Sequence, residues 1–207
     1  VFQIGTAKYG VRDDDGNFCE NRFADVMAND SVVKCELKLA QGAKPGKGGI
    51  LPAAKVTREV AEIRGIQLGK DSISPNRHRE ISNDEELLNF VVRLRELGGK
   101  PVGIKLVVGN PSHLESLLEC IESRDDDCAP DFITIDSGDG GTGAAPMSLM
   151  DNMGLTIEQS LPVVVDLLTK HGLRDRIFVG ASGKLINPVD VAWALCAGAD
   201  FVQSARG

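Results

Sequence analysis

Short apolar runs alternate with amphipathic helical patterns along most of this chain, from about Val32 onward. The apolar runs are CELKLA (35–40), a brief one near 72–74, PVGIKLVVG (101–109), FITID (132–136), IFVGA (177–181) and FVQSA (201–205). Such alternation is typical of βα units, whose strands pair in parallel within one sheet. The sequence therefore predicts an α/β fold built on a parallel sheet.

Capping signals predict the helices between these runs. In the expected helix Thr156–His171, Pro162 indicates a later start than the Thr156/Gln159 pair suggests, because proline is disfavoured inside a helix. The expected helices are Thr57–Arg64 ended by Gly65, one capped by Asn83 with Glu86, one begun by a capping box of Ser112 and Glu115, Thr156–His171, and one from Asn187-Pro188 to Gly198.

The number of strands bounds the architecture. Six are predicted from Cys35 onward, and Phe2–Ile4 predicts a seventh. An eight-stranded βα barrel needs eight strands and usually about 250 residues, whereas this chain has 207 and its last residue follows a strand directly. With no linker or low-complexity tract, we expect a single domain over residues 1–207: a (β/α)8 barrel whose first strands and last helix are missing.

Composition excludes several classes of function. A net charge of −7 argues against a nucleic-acid or anionic-membrane surface, and no apolar run approaches the length of a membrane span. The five cysteines form no C-x-x-C pair, so we expect reduced thiols in a cytoplasmic protein. His78, His113 and His171 match no metal-ligand spacing, so we expect no metal site and interpret them as surface or loop histidines.

Glycine clusters follow several of the predicted strands. In FITIDSGDGGTGAAP (132–146) the apolar run ends at Asp136, and four glycines arrive within the six positions 138–143. IFVGASGK (177–184) and FVQSARG (201–207) repeat the arrangement. Glycine lets backbone N–H groups approach a ligand closely. Several such loops at one sheet edge predict a cofactor that carries a phosphate.

The segment LAQGAKPGKGGILP (39–52), taken with DSGDGGTGAAP (136–146), resembles the FMN-binding synthase domain of glutamate synthases. More narrowly, it resembles the shorter FMN-binding glutamate synthase family proteins. The similarity runs through nearly all of the chain, including QIGT, YGVRDDDG, ISPNRH, KLVVG and LRDRI. It implies a TIM barrel with FMN at its mouth. It also implies formation of L-glutamate, in which reduced flavin delivers hydride to 2-iminoglutarate made from 2-oxoglutarate and ammonia.

The resemblance also implies roles for individual residues. Gln41, Lys44 and Arg64 match positions that grip the carboxylates of the oxo acid, and a dicarboxylate suits two cationic partners. Lys105 matches a lysine at the N1/C2 edge of the flavin, where its charge would stabilise the anionic reduced form. The other matches to cofactor contacts are Gly138, Gly140, Gly141 and Thr142 in a flavin-contacting turn, and Ser182, Gly183, Lys184, Ala205, Arg206 and Gly207 in the phosphate site expected after the last two strands.

The chain departs from the family pattern at three places. Ile50 stands where the large glutamate synthases carry a glutamine near the substrate, which leaves substrate identity open. The family's early barrel segment would precede Val1, and the cysteines of its iron–sulfur cluster would follow Gly207, so that cluster is expected only from segments beyond this chain. There is also no glutaminase domain. We therefore expect the fragment itself to be inactive.

Two other functions stay open at this point: an FMN-dependent barrel enzyme acting on a different oxo or amino acid, and a non-catalytic barrel fragment used for binding or assembly. The expected partners are the small-molecule substrate, an ammonia source or electron-donor subunit, and a second copy, because truncated sheet edges invite self-association.

The candidate residues also have structural interpretations. Lys44 and Lys47 could be ordinary loop lysines, Arg64 could complement a helix dipole, and the 140–143 turn could be a tight βα connection. Lys105 lies in an apolar strand, where an unpaired lysine would be costly to bury. For Lys105 a functional partner is therefore favoured over a structural role.

Overall fold

The computed structural model of the chain describes residues 1–124, 126–139 and 145–204. Its strands are β1 (Phe2–Ile4), β2 (Cys35–Lys38), β3 (Ile50–Leu51), β4 (Ser72–Ile73), β5 (Val102–Leu106), β6 (Phe132–Asp136), β7 (Phe178–Ser182) and β8 (Phe201–Gln203). Its α-helices are α1 (Glu20–Met27), α2 (Arg58–Arg64), α3 (Asp84–Gly98), α4 (Pro111–Glu122), α5 (Ile157–Lys170) and α6 (Pro188–Cys196). Short 3₁₀ turns lie at Ala53–Lys55 and Asp126–Cys128.

Within the described residues, six strands form the main sheet in the order β1-β2-β5-β6-β7-β8, and every neighbouring pair is parallel. The parallel α/β sheet predicted from the sequence is confirmed. The strand predicted near 72–74 exists as β4, but it pairs antiparallel with β3 outside the main sheet. The predicted N-terminal strand, β1, completes the six. Neither α1 nor β3 was predicted.

Helix starts follow the capping residues closely, with one shift. Asn83 caps α3 and Asn187 caps α6, as predicted. The predicted start of α4 at Ser112 is wrong, because Asn110 is the cap and its side-chain oxygen accepts a hydrogen bond from the Ser112 N–H at 3.1 Å. Pro111 then occupies the first helical position, where a missing N–H costs nothing.

Helix α5 starts at Ile157, so the later start expected from Pro162 is wrong. Thr156 and Gln159 form the full capping box, with the Thr156 N–H donating to the Gln159 side chain at 3.1 Å. Pro162 removes one backbone hydrogen bond, but the helix continues through it. Its buried face, which includes Leu161, outweighs that loss.

Side chains on the strands alternate between two environments, as period-two geometry requires. One set packs against the helices: α3 contacts β5, α5 contacts β6 and β7, and α6 contacts β8. The strand residues of this apolar core are Ile4, Cys35, Leu37, Val102, Ile104, Ile133, Ile135, Val179 and Ala181. The other set points to the concave side of the sheet and is largely polar. This side holds the candidate site.

The sheet is strongly curled. The Gln203 amide nitrogen on β8 lies 3.4 Å from a carboxylate oxygen of Glu36 on β2, although β5, β6 and β7 lie between those strands. In a flat sheet four strand spacings of about 4.8 Å would separate them by roughly 19 Å. Glu36 also accepts hydrogen bonds from Gln3 and Thr134, each at 2.6 Å. The sheet is therefore a half-barrel, which agrees with the incomplete barrel predicted from the sequence.

Aromatic rings close the end of the half-barrel that lies at the start of the strands. The Lys34 ammonium lies 4.3 Å from the Phe132 ring centroid and 4.0 Å from that of Phe201. Glycine makes room for both rings, because a Cβ on Gly103 would lie 2.4 Å from Phe132, and one on Gly180 would lie 2.4 Å from Phe201. The polar interior is thus open at the carboxyl ends of the strands.

No described helix is long and apolar enough to cross a membrane.

Candidate active site at the carboxyl ends of the strands

Polar side chains converge where the parallel strands end. Lys38 and Ser182 are the last residues of β2 and β7, Asp136 is the last of β6, and Lys105 is the penultimate residue of β5. Lys38 pairs in register with Lys105, and Asp136 pairs with Ser182. Lys105 itself pairs with Thr134, two residues before Asp136 on β6, and its long side chain reaches diagonally to Asp136. The four side chains therefore occupy two adjoining levels at the mouth of the half-barrel.

Lys105 has two side-chain partners at this end of the sheet. Its amino nitrogen lies 3.1 Å from an Asp136 carboxylate oxygen and donates to the Ser182 hydroxyl at 3.3 Å. The Ser182 hydroxyl in turn donates to the same Asp136 oxygen at 3.0 Å. Both side chains of the ion pair are only 12% exposed. The pair satisfies a buried lysine that would otherwise be costly, and it fixes the position of the ammonium group.

The loop after β2 is held against the end of β6. The Gly42 N–H donates to the second Asp136 carboxylate oxygen at 2.8 Å. A Cβ on Gly42 would lie 1.5 Å from the Ser137 carbonyl oxygen, and one on Gly48 would lie 1.9 Å from the Ser74 carbonyl oxygen. Only glycine therefore permits these contacts, which clamp the loop on both sides. The clamped segment carries Gln41 and Lys44.

A cleft of about 390 Å³, here called the cationic cleft, lies under this loop. It brings together the three residues predicted to grip an oxo acid: Gln41, Lys44 and Arg64. Lys44 is 7% exposed and donates to the Gly48 carbonyl at 3.4 Å. The Arg64 guanidinium carbon lies 4.9 Å from the centroid of the Tyr9 ring, so the fork is stacked on an aromatic face. The remaining charged residues of its lining are Lys38 and Lys47.

Burial lowers the pKa of two lysines in the cleft. The pKa of Lys38 falls below its ordinary value of 10.5 through desolvation first and then through the nearby charge of Lys105. Desolvation also lowers the pKa of Lys44, with the charge of Lys47 as the next cause. Lys38 donates to the Gln41 side-chain oxygen at 2.8 Å. An anionic ligand in the cleft would add countercharge beside these ammonium groups and favour their charged form.

His78 supports the strand end beneath the cleft. It is 2% exposed, and its Nε2 lies 2.9 Å from the Lys38 carbonyl oxygen. Of the two predicted alternatives, surface or loop, His78 lies in a loop, but the loop after β4 folds back under the end of β2 and buries the ring. Since a carbonyl can only accept, Nε2 carries the hydrogen. Desolvation lowers the pKa of His78 and favours the neutral ring.

A second cavity of about 960 Å³, here called the barrel cavity, occupies the concave side of the sheet. It brings together four residues predicted to contact the cofactor: Lys105, Ser182, Gly183 and Lys184. Gly183 has φ +95° and Lys184 φ +59°, so the chain turns sharply after β7. Lys184 is half-exposed and lies 3.7 Å from a carboxylate oxygen of Asp139.

The two cavities are neighbours, since Gln3, Lys38 and Gln41 line both. Two residues singled out from the sequence line neither. Gly138 instead donates its N–H to the Leu155 carbonyl at 2.7 Å, and Ile50 is half-exposed on β3. The other predicted contacts lie outside the described residues: Gly140, Gly141, Thr142, Ala205, Arg206 and Gly207.

Sequence reasoning assigned no site role to Lys38, Asp136 or Tyr9. For Lys38 the signal was present, because alternation in CELKLA (35–40) puts Glu36 and Lys38 on one face of a strand that is otherwise apolar. Asp136 ends β6, in which all five residues are buried. In the part of the chain that the structure describes, no group of three or more His, Cys, Asp or Glu residues could hold a metal ion.

Comparisons with known proteins point to one family. The family model described as the conserved region in glutamate synthase matches residues 1–207. The chain is 47% identical over 207 residues to a glutamate synthase large subunit-like protein, YerD, of Bacillus subtilis, and spans 39% of that protein. It is 39% identical over 204 residues to an archaeal glutamate synthase [NADPH] of Methanocaldococcus jannaschii, and spans 36% of it. The chain therefore covers well under two thirds of these relatives.

Solved structures support the barrel architecture. A double mutant of flavocytochrome b2 with sulfite bound superposes with a TM-score of 0.53. The alignment covers 97% of this chain and 40% of that one, at 16% sequence identity. At that identity the likeness concerns the fold alone.

Proposed function

The chain belongs to the family described as the conserved region in glutamate synthase, and from this membership we propose that it carries the FMN and oxo-acid sites of an enzyme forming L-glutamate from 2-oxoglutarate. The observation that carries the proposal is the pair of adjoining cavities at the strand ends. The cationic cleft would take the oxo acid, and the barrel cavity would take the flavin. Lys38 and Gln41 line both and would stand between the two ligands.

The cationic cleft suits a small dicarboxylate. Lys44 and Arg64 are predicted to take one carboxylate each, and the stacked guanidinium of Arg64 presents a planar fork for two parallel hydrogen bonds. Lys38 and Lys47 add positive charge to the same walls. A ligand with one carboxylate would leave part of this charge unpaired, so the cleft should discriminate between monocarboxylates and dicarboxylates.

The barrel cavity fits FMN in size, and two of its lysines would meet anionic parts of the cofactor. Its volume of about 960 Å³ lies within the range of cofactor sites, roughly 300–1,000 Å³. Lys105, held in place by Asp136 and Ser182, would face the polar edge of the isoalloxazine ring. Lys184, at the sharp turn after β7, would serve the phosphate. When bound, FMN supplies hydride chemistry, and the protein supplies orientation and electrostatic tuning.

The chain's own residues would position the oxo acid for that chemistry. Lys44 and Arg64 bind its carboxylates, while the loop clamped at Gly42 and Gly48 keeps Gln41 and Lys44 from moving apart. Holding the reacting carbon against the barrel cavity converts an encounter of two ligands into an oriented contact. The proposal further requires an ammonia source and an electron donor as partners.

Calorimetric titration of the full-length protein with oxo acids tests the substrate assignment. We expect 2-oxoglutarate to bind at least about tenfold more tightly than 2-oxobutyrate, because hydrogen bonds to charged groups contribute about 1.5–3 kcal/mol each. Lys44→Met and Arg64→Met should each bind 2-oxoglutarate roughly tenfold more weakly than the native protein. Lys55→Met and Arg58→Met, which change exposed cations on neighbouring turns, are the matched controls.

The same titration separates the alternatives. Preference for an oxo acid of another length or with a single carboxylate would point to an FMN-dependent enzyme with a different substrate. Binding of neither an oxo acid nor FMN would favour a non-catalytic barrel. Equal losses in the cleft variants and in the controls would refute the assignment of Lys44 and Arg64.

A further inference from the structure

Asp136 lines the barrel cavity and uses both of its carboxylate oxygens. One oxygen lies 3.1 Å from the Lys105 amino nitrogen and accepts from the Ser182 hydroxyl at 3.0 Å, on the side of the barrel cavity. The other accepts from the Gly42 N–H at 2.8 Å, on the side of the loop that carries Gln41 and Lys44. The residue is 9% exposed, so water competes little for either oxygen.

The contact between the Gly42 loop and the end of β6 is close and leaves little room for movement. The backbone of Gly42 lies so near the Ser137 carbonyl that a Cβ would overlap it at 1.5 Å. The strand end is fixed as well, because the Ser137 N–H donates to the Ser182 carbonyl at 2.8 Å. A small displacement of Lys105 or of the Asp136 carboxylate must therefore be transmitted to the loop.

We propose that Asp136 is a positioning residue that couples cofactor binding to oxo-acid binding. The inference rests on the proposed function, because it takes Lys105 to meet FMN and the Gln41–Lys44 loop to meet the oxo acid. When FMN binds, one Lys105 N–H turns to a flavin acceptor and shares less of its charge with Asp136. The carboxylate then accepts more strongly from Gly42 and holds the loop in its binding position.

The coupling has a definite sign. FMN should tighten oxo-acid binding, and by thermodynamic reciprocity the oxo acid should tighten FMN binding by the same factor. Couplings of this kind typically amount to about 5- to 150-fold. We expect about tenfold in the native protein, because a single charged hydrogen bond transmits the effect.

The test measures FMN affinity by flavin fluorescence in the full-length protein, with and without saturating 2-oxoglutarate. The native protein should show a ratio of about ten between the two affinities. In Asp136→Asn, which keeps the shape but removes the charge, the ratio should fall to within about twofold of one. A purely structural role would lower stability or both affinities and leave their ratio unchanged.

Asp200→Asn is the matched control. Asp200 makes the same two kinds of bond, 3.0 Å to Arg174 and 2.7 Å from the Val179 N–H, at the opposite end of the half-barrel. This variant should keep the tenfold ratio. If Asp136→Asn does not fold, Asp136→Ser, which leaves space for water around the Lys105 amino group, takes its place with the same expectation.

A measurement on the unaltered protein completes the test. Exchange of the Gly42 amide hydrogen with deuterium should slow at least about fivefold when FMN binds, since its acceptor becomes stronger. An unchanged exchange rate would overturn the proposal, as would a coupling ratio of one in the native protein or of ten in the Asp136 variants. Failure of the native protein to bind FMN or 2-oxoglutarate would instead overturn the proposed function.

Discussion

Replacing Gly42 by alanine should release the loop of the cationic cleft without unfolding the half-barrel. The new Cβ would lie 1.5 Å from the Ser137 carbonyl oxygen, and an ordinary contact begins at 3.4 Å, so the backbones must separate by roughly 1.9 Å. Such a shift breaks the 2.8 Å hydrogen bond from the Gly42 N–H to Asp136. The apolar core lies on the helix side of the sheet and does not include this loop.

The size of the effect follows from the lost bond. A hydrogen bond to a charged acceptor contributes about 1.5–3 kcal/mol, which corresponds to roughly a ten- to hundredfold change in affinity. Calorimetric titration of Gly42→Ala with 2-oxoglutarate should therefore give binding at least about tenfold weaker, with a small change in Tm. Gly172→Ala is the control for affinity, because its Cβ also meets nothing within 4 Å and the residue lines neither cavity. Its φ of +67° costs some stability but should leave the affinity native. Native affinity in Gly42→Ala would refute the clamped loop.

Three further predictions concern charge, packing and thiol chemistry. Affinity for 2-oxoglutarate should fall with rising pH, and the fall should begin below pH 10.5, because Lys44, whose pKa is lowered, loses its proton there. In Lys44→Arg the affinity should depend less on pH over the same range. Gly180→Ala should cost about 1–3 kcal/mol in a urea unfolding experiment, since its Cβ would overlap the Phe201 ring, and Phe201→Leu should recover part of that loss. At pH 8 a disulfide reagent should modify exposed Cys196 rapidly, whereas buried Cys35, whose pKa is raised to about 12 by desolvation, should react only on unfolding.

Local signals were enough to predict much of the fold. Asn83 and Asn187 cap helices as expected, since capping depends on side chains within a few residues of the helix start. The start of α4 was wrong by two residues because an Asn-Pro pair outranks a serine as a starting signal. The shift of β4 out of the main sheet depends on pairing with β3, which no local pattern reveals.

The candidate site was predictable only in part. The motif resemblance led to Gln41, Lys44 and Arg64, and the structure brings these into one cleft. Asp136 was missed as a site residue because its importance lies in contacts with Lys105 and Gly42, which are distant in sequence. The burial of His78 within its loop was not predicted, because a lone histidine carries no sign of the backbone carbonyl that it meets after folding.

Re-oxidation of the reduced full-length protein under anaerobic conditions tests the central claim most directly. The account predicts a flavin absorbance spectrum that returns to the oxidised form when 2-oxoglutarate and ammonia are added together, and stays reduced with either one alone. Replacing 2-oxoglutarate by 2-oxobutyrate should slow the return strongly, because the cationic cleft is built for two carboxylates. A protein without flavin, or a reduced flavin indifferent to both compounds, would contradict the account.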